Sequence, residues 1–222
     1  MTTRREFDRA DIVELLAALG ARLEARGVHG SAYVVGGAAI STTFDDGRRL
    51  TSDIDALTSP ADVIAVEAAQ LAVERDLPSN WLNSKAKPWI PSPSSDTDAT
   101  VTEIPGLTVT IASPRHLLAM KMSAFRTVDR SDLVRLFERL DIRTPEQAAD
   151  IVDEVYGVDD LANPGREEAI ISARSVLAAA KASQRPTRQR NTGRQGRSAD
   201  GRFATLHRDE ASVELDDEGP LD

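Results

Sequence analysis

The six residues SDIDAL, Ser52–Leu57, constrain the chain more than any other stretch. Polar and apolar side chains alternate through them, and a period of two is the mark of a strand with one face buried. Ile54 and Ala56 then point into the core, and Asp53 and Asp55 share the other face. Two positions apart on a strand, their Cα atoms lie roughly 7 Å from one another, so both carboxylates can reach a single divalent ion. Buried with no cation between them, they would repel, and one would have to hold a proton. Upstream, the apolar run YVV ends in Gly36 and Gly37 and leads into AAIST, a short helix. A strand, a glycine turn and a helix start let backbone N–H groups approach a phosphate at the positive end of the helix. Together the acid pair and the glycine turn point to a metal and a phosphorylated ligand. Separately, the glycines are also consistent with a plain turn and the acids with a solvated sheet edge.

Periodicity places the other elements around this strand. Ile12, Leu15, Leu16, Leu19 and Leu23 recur at three- and four-residue spacing, which predicts an amphipathic helix opening near Asp8. SAYVV reads as a buried strand and Pro60 to Arg75 as a helix. ATVTEI and LTVTIA flank Pro105-Gly106 as a hairpin, and Ser113-Pro114 caps a further helix. Helices continue to about Ala182, with breaks near Asp129, Thr144 and Pro164. The expected fold class is α/β in the α+β sense. A small mixed-sheet core over 1–112 precedes a helical domain over 113–182 that packs on it, and a tail covers 183–222.

Composition limits the chemistry. With 41% hydrophobic residues among 222, the chain has enough apolar surface for a real core. It has no cysteine and three scattered histidines, which leaves no thiolate zinc site and little for a histidine one. No apolar run approaches the roughly 20 residues of a membrane span, and the charged start MTTRREFDRADIVELL is unlike a secretory leader. A cytoplasmic protein without a membrane partner is expected. The net charge of −9 is uneven: Lys181 to Arg208 holds eight Lys or Arg against Asp200 alone, and Asp209 to Asp222 holds seven acids and no base. The tail is poor in aliphatic residues and is expected to be disordered. It reads either as a basic arm for nucleic-acid phosphates or as a solvated linker. A GxSxG elbow, a P-loop and a GxGxxG fingerprint are all missing. His116 is expected on a helix face; Trp81 and Trp89 could stack on a base, but with only nine aromatics in the chain core or loop anchoring is the expectation.

The run Gly36-Gly37 followed by RLTSDID, with Arg49, Thr51, Asp53 and Asp55, resembles the first motif of nucleotidyltransferases of the DNA polymerase β superfamily. It looks most like the branch of abortive-infection-type and MenT-type toxins. ASPRHLLAMKMSAFRTVDRSDLVRLFERL, Ala112 to Leu140, resembles a later motif of that branch, and LPSNWLNSKAKPWIP is similar to a segment of uncharacterised relatives. The resemblance implies that Asp53 and Asp55 hold Mg²⁺, that Gly36 and Gly37 cradle phosphate, with Arg49 and Thr51 contributing to the nucleotide site, and that Lys121 binds the triphosphate. Asp132 would complete the acidic site, and Arg126 and Asp129 would form a salt bridge orienting the lysine helix. Two departures stand out: Ala38 and Ala39 occupy positions where many relatives have Ser or Thr, and LTVTIA lacks the third-strand acid, for which Asp132 or Glu103 would have to substitute.

What the resemblance implies is an enzyme, a Mg²⁺-dependent nucleotidyltransferase. It would move a nucleoside monophosphate from an NTP to an acceptor hydroxyl and release pyrophosphate. The acceptor implied is RNA, tRNA above all, in a toxin with a cognate antitoxin protein. A protein or a small molecule such as an aminoglycoside is the alternative acceptor. A nucleotide-binding or partner-binding module without turnover is the alternative class.

Overall fold

The structure is a computed structural model that describes residues 5–44 and 50–183. Arg49 and the expected disordered tail from residue 184 lie outside the described residues.

Asp8 starts the first helix, α1 (Arg9–Ala25), through a reciprocal cap: Asp11 N–H donates to its carboxylate at 2.9 Å while its own N–H donates to the Asp11 carboxylate at 3.1 Å. The predicted apolar stripe, Ile12 to Leu23, is buried against the sheet. The sheet has five strands: β1 (Gly30–Val35), β2 (Ile54–Ser59), β3 (Leu82–Asn83), β4 (Thr100–Ile104) and β5 (Leu107–Ile111), in the order β3-β2-β1-β5-β4. β1 is central, antiparallel to β2 and parallel to β5, and β4 and β5 form the expected hairpin. Glycine is required where α1 crosses that hairpin. A Cβ on Gly20 would meet the Pro105 carbonyl oxygen at 2.5 Å, and Gly106, at φ +72°, lies against the Gly20 carbonyl.

Strand register positions the acids. Val35, the last residue of β1, is opposite Asp55, and Val34 is beside both Ala56 and Ile111. The carboxyl ends of β1 and β5 and the amino end of β2 therefore meet at one edge of the sheet, the kind of edge where open α/β sheets bind ligands. Two helices start there: α2 (Gly36–Thr43) after β1 and α4 (Pro114–Ala124) after β5. The glycines expected to form a turn ahead of a short helix are themselves the first turn of α2.

α3 (Ala61–Glu74) packs against α1 and β2, and after the sheet follow α5 (Arg130–Arg139), α6 (Pro145–Tyr156) and α7 (Arg166–Ser183). Ser113 caps α4 by accepting from His116 N–H, and Thr144 caps α6 in a box with Gln147. α4 packs against α2, α5, α6 and α7, and every residue from His116 to Met122 is buried. The segments expected as a sheet core and a helical domain packing on it lie within one compact unit. No helix among the described residues is long and apolar enough to cross a membrane.

Candidate active site

Asp53 and Asp55 open onto a cavity of about 310 Å³ between the sheet edge and α4. Ile54 and Ala56, at 0% and 1% exposure, anchor the opposite face of the strand, so the alternation in SDIDAL divides core from cavity as its period requires. Burial, then the Asp53 charge, pushes the Asp55 carboxyl above the usual carboxylate range; Lys85, the Ala86 N–H and Arg126 oppose the shift. The pair is thus held together against its own repulsion in a partly desolvated place.

Gly36 permits this. Its φ is +65°, and a Cβ there would come within 3.2 Å of the Asp55 Oδ2 oxygen. Any other residue would be strained in its backbone and would crowd the carboxylate. Gly37 follows in the first turn of α2 and is half-buried; it does not line the cavity among the described residues. Thr51 works on the backbone: its Oγ1 donates to the Asp53 carbonyl at 3.0 Å, and its main chain exchanges hydrogen bonds with Phe7. It fixes the entry to β2 and stays off the cavity lining.

Lys121 reaches the same cavity from α4, seven residues after its first position. It is buried, and its Nζ lies 2.6 Å from Asp129 Oδ1 and 2.8 Å from Asp132 Oδ2. Asp129 also accepts from Arg126 Nε at 3.1 Å, which gives the salt bridge expected of Arg126 and Asp129. Asp132, 1% exposed, is not among the cavity-lining residues, and its Oδ2 lies against Lys121, which is. Its position suits holding the lysine better than contacting an acceptor. Glu103 is remote. It pairs with Thr108, whose β1 neighbour is Ser31, near the strand end away from the acids.

Residues 83–89, from the end of β3 through the 3₁₀ turn Lys87–Trp89, supply parts of the site for which, Trp89 apart, the sequence alone suggested no role. β3 pairs in parallel with β2, Asn83 opposite Asp55. Asn83 Nδ2 donates to Asp53 Oδ2 at 3.1 Å, and its Oδ1 accepts from Lys85 N–H at 2.9 Å. Lys85, Ala86 and Trp89 line the cavity. Trp81, by contrast, is fully buried and donates its indole N–H to the Ala68 carbonyl at 3.0 Å, as a core anchor should.

A second buried polar group locks the far end of this segment. Asp96 accepts from the Tyr33 hydroxyl at 2.7 Å and from Ser113 N–H at 2.9 Å, and lies 3.2 Å from His116 Nδ1. His116 does lie on a helix face, but that face is turned inward. Burial, more than any neighbouring charge, lowers its pKa below the usual value; Asp96 and Asp98 raise it and Arg115 lowers it. Tyr33 belongs to β1 and Ser113 to the start of α4, so Asp96 ties the segment to both elements that build the site.

Among the described residues no cluster of three or more His, Cys, Asp or Glu side chains is disposed to hold a metal without further ligands. Asp53 and Asp55 alone offer hard oxygen donors in a cavity that also contains cationic side chains. No family model matches the chain, and no curated protein or solved structure compared with it matches either.

Proposed function

We propose that the chain is a nucleotidyltransferase that moves a nucleoside monophosphate from an NTP to an acceptor hydroxyl. One observation carries the reading: Asp53 just ahead of β2 and Asp55 within it, Gly36 at the start of α2, and the cations Lys85, Lys121 and Arg126 from three other segments all line one cavity. A pair of carboxylates facing a set of cations suits a metal–triphosphate complex, because each sign then finds its complement. The raised affinity of Asp55 for protons supports a cation at the pair, since a bound divalent ion relieves the repulsion that contributes to it. Asp53 and Asp55 would hold Mg²⁺, with phosphate and water oxygens completing its shell, and the ion would neutralise charge on the phosphates.

The chain's own groups would do the rest. Lys85 and Arg126, both exposed, can turn toward phosphate oxygens, and Lys121 presents a fixed positive site at the cavity wall. In the reaction the acceptor hydroxyl gives its proton to solvent water as its oxygen forms a bond to the α-phosphorus, the bond from that phosphorus to the bridging oxygen breaks, and pyrophosphate leaves with the electron pair. The cations stabilise the charge that accumulates on the leaving group. RNA, tRNA in particular, is the acceptor we favour, in a toxin held in check by an antitoxin protein.

A specific observation favours the second reading, a nucleotide-binding or partner-binding module without turnover. β5 has no acid, and Asp132 is engaged with Lys121, so beyond the pair no carboxylate lines the cavity among the described residues. Incubating the full chain and Mg²⁺ with each α-labelled NTP, in the presence of total RNA, total protein or an aminoglycoside, decides between them. Label transferred to RNA is the expected result. Nucleotide binding with no label on any acceptor would establish the binding module.

A further inference from the structure

We propose that Trp89 is the platform on which the base of the bound nucleotide stacks, an inference that rests on the nucleotide reading above. The chain has two tryptophans. Trp81 is spent on the core, whereas Trp89 is 47% exposed and lines the same cavity as the acid pair. A large aromatic surface left half in water gains little from packing, and its exposed face is available to another flat apolar group.

The cavity offers both kinds of surface that a nucleotide needs. Asp53, Asp55, Lys85, Lys121 and Arg126 give it charged groups, and Trp89 with Leu117, Met120 and Ala124 of α4 gives it apolar lining. A triphosphate matches the charged groups and a base the apolar ones. The volume of about 310 Å³ is at the lower end of small-molecule sites, and the cavity is open on one side.

The backbone that carries the ring is also held in place before any ligand arrives. Ala86 N–H bonds to the Asp55 carboxylate, Trp89 N–H donates to the Ala86 carbonyl at 2.9 Å, and Tyr156 of α6 donates its hydroxyl to the Trp89 carbonyl at 2.6 Å. The turn Lys87–Trp89 also packs against α4. Its backbone is thereby tied to the acid pair at one end and to the helices at the other. A positioned aromatic loses little entropy on stacking, and stacking accepts any base because every base has a π face.

Tryptophan fluorescence reads this directly, because Trp81 is shielded and a change reports Trp89. The full chain with Mg²⁺ is titrated with ATP, GTP, CTP and UTP, and separately with inorganic tripolyphosphate, while calorimetry measures binding without reference to tryptophan. Nucleoside triphosphates should quench the emission and tripolyphosphate should not. Trp89→Ala should weaken NTP binding about 5- to 150-fold, leave tripolyphosphate binding unchanged, and preserve the thermal transition; Trp89→Phe should keep much of the affinity. If NTPs bind the wild type and Trp89→Ala equally with no quench, the stacking role is overturned while the nucleotide reading survives. Quenching by a purified protein partner with no response to any NTP would reassign Trp89 to a protein contact and overturn it too. Absence of both NTP and tripolyphosphate binding would remove the nucleotide reading and this proposal together.

Discussion

Replacing Lys121 with Met should destabilise the fold by about 3–5 kcal/mol, the usual cost of breaking a buried ion pair from one side. The side chains of Lys121, Asp129 and Asp132 are 8%, 4% and 1% exposed, so water screens the trio little. Nζ contacts one carboxylate oxygen at 2.6 Å and another at 2.8 Å. At an effective permittivity of about 20, each contact is worth roughly 6 kcal/mol of gross attraction. Most of that is offset by the several kcal/mol needed to desolvate each ion. Met keeps the length of the stem, removes both attractions and leaves two buried carboxylates with their desolvation cost and their mutual repulsion. With a urea dependence of about 2 kcal/mol per molar, the midpoint should fall by roughly 1.5–2.5 M at unchanged slope. Adding Asp129→Asn and Asp132→Asn should restore at least half of the loss, since neutral amides no longer need the cation. A Lys121→Met midpoint within about 0.5 M of wild type, the response of an exposed pair, would refute the idea of a buried unit. The same trio bears on function: loss of activity in a Lys121 variant reports phosphate binding only when expressed per folded molecule.

Three further outcomes are expected of the site. Asp53→Ala and Asp55→Ala should each abolish Mg²⁺-dependent label transfer while the thermal transition holds or rises, because each removes one of two repelling acids; turnover in both variants would exclude the site. Gly36→Ala should cost about 1–3 kcal/mol of stability through its φ of +65° and lower kcat at least tenfold by crowding Asp55 Oδ2; a wild-type kcat would show that the carboxylate is not needed where it stands. His116 faces Asp96, Asp98, Arg115, Ser95 and Ser113, and its folded pKa is depressed below 6.5. Its contribution to stability is therefore complete above pH 6.5 and is lost as pH falls through the depressed value. Urea midpoints between pH 7 and 5 should drop more in wild type than in His116→Gln, and parallel curves would assign the acid sensitivity to other groups.

How much of the fold and site was legible in the sequence depended on how local the signal was. Helix starts at Asp8 and Ser113 were readable because caps act over three residues, and Thr144, read only as a break, is such a cap as well. The strand of Asp55 was readable because its two faces are written in alternation, although it begins at Ile54 and Asp53 stands just ahead of it. Residues 75–99 contain no such period, and their contacts run far along the chain: Asn83 to Asp53, Asp96 to Tyr33, Tyr156 to the Trp89 carbonyl. A long aperiodic stretch flags itself as functional by length alone, but nothing nearby shows what its side chains meet. Lys121 could be placed on the right helix. That it is clamped by two acids was not legible, because α4 is buried nearly all round and its neighbours are set by tertiary packing.

The segment 83–89 gives the molecule a separation that matters for its future variation. Of this stretch only Asn83 belongs to the sheet, and Asn83 and the Ala86 N–H bond the acid pair. The side chains of Lys85 and Trp89 can therefore be exchanged without disturbing the strands beneath or those two contacts. A lineage could change which ligand it admits through a few codons in one surface stretch, and a designer could replace those two side chains while keeping Asn83 and the backbone at Ala86 that hold the acid pair.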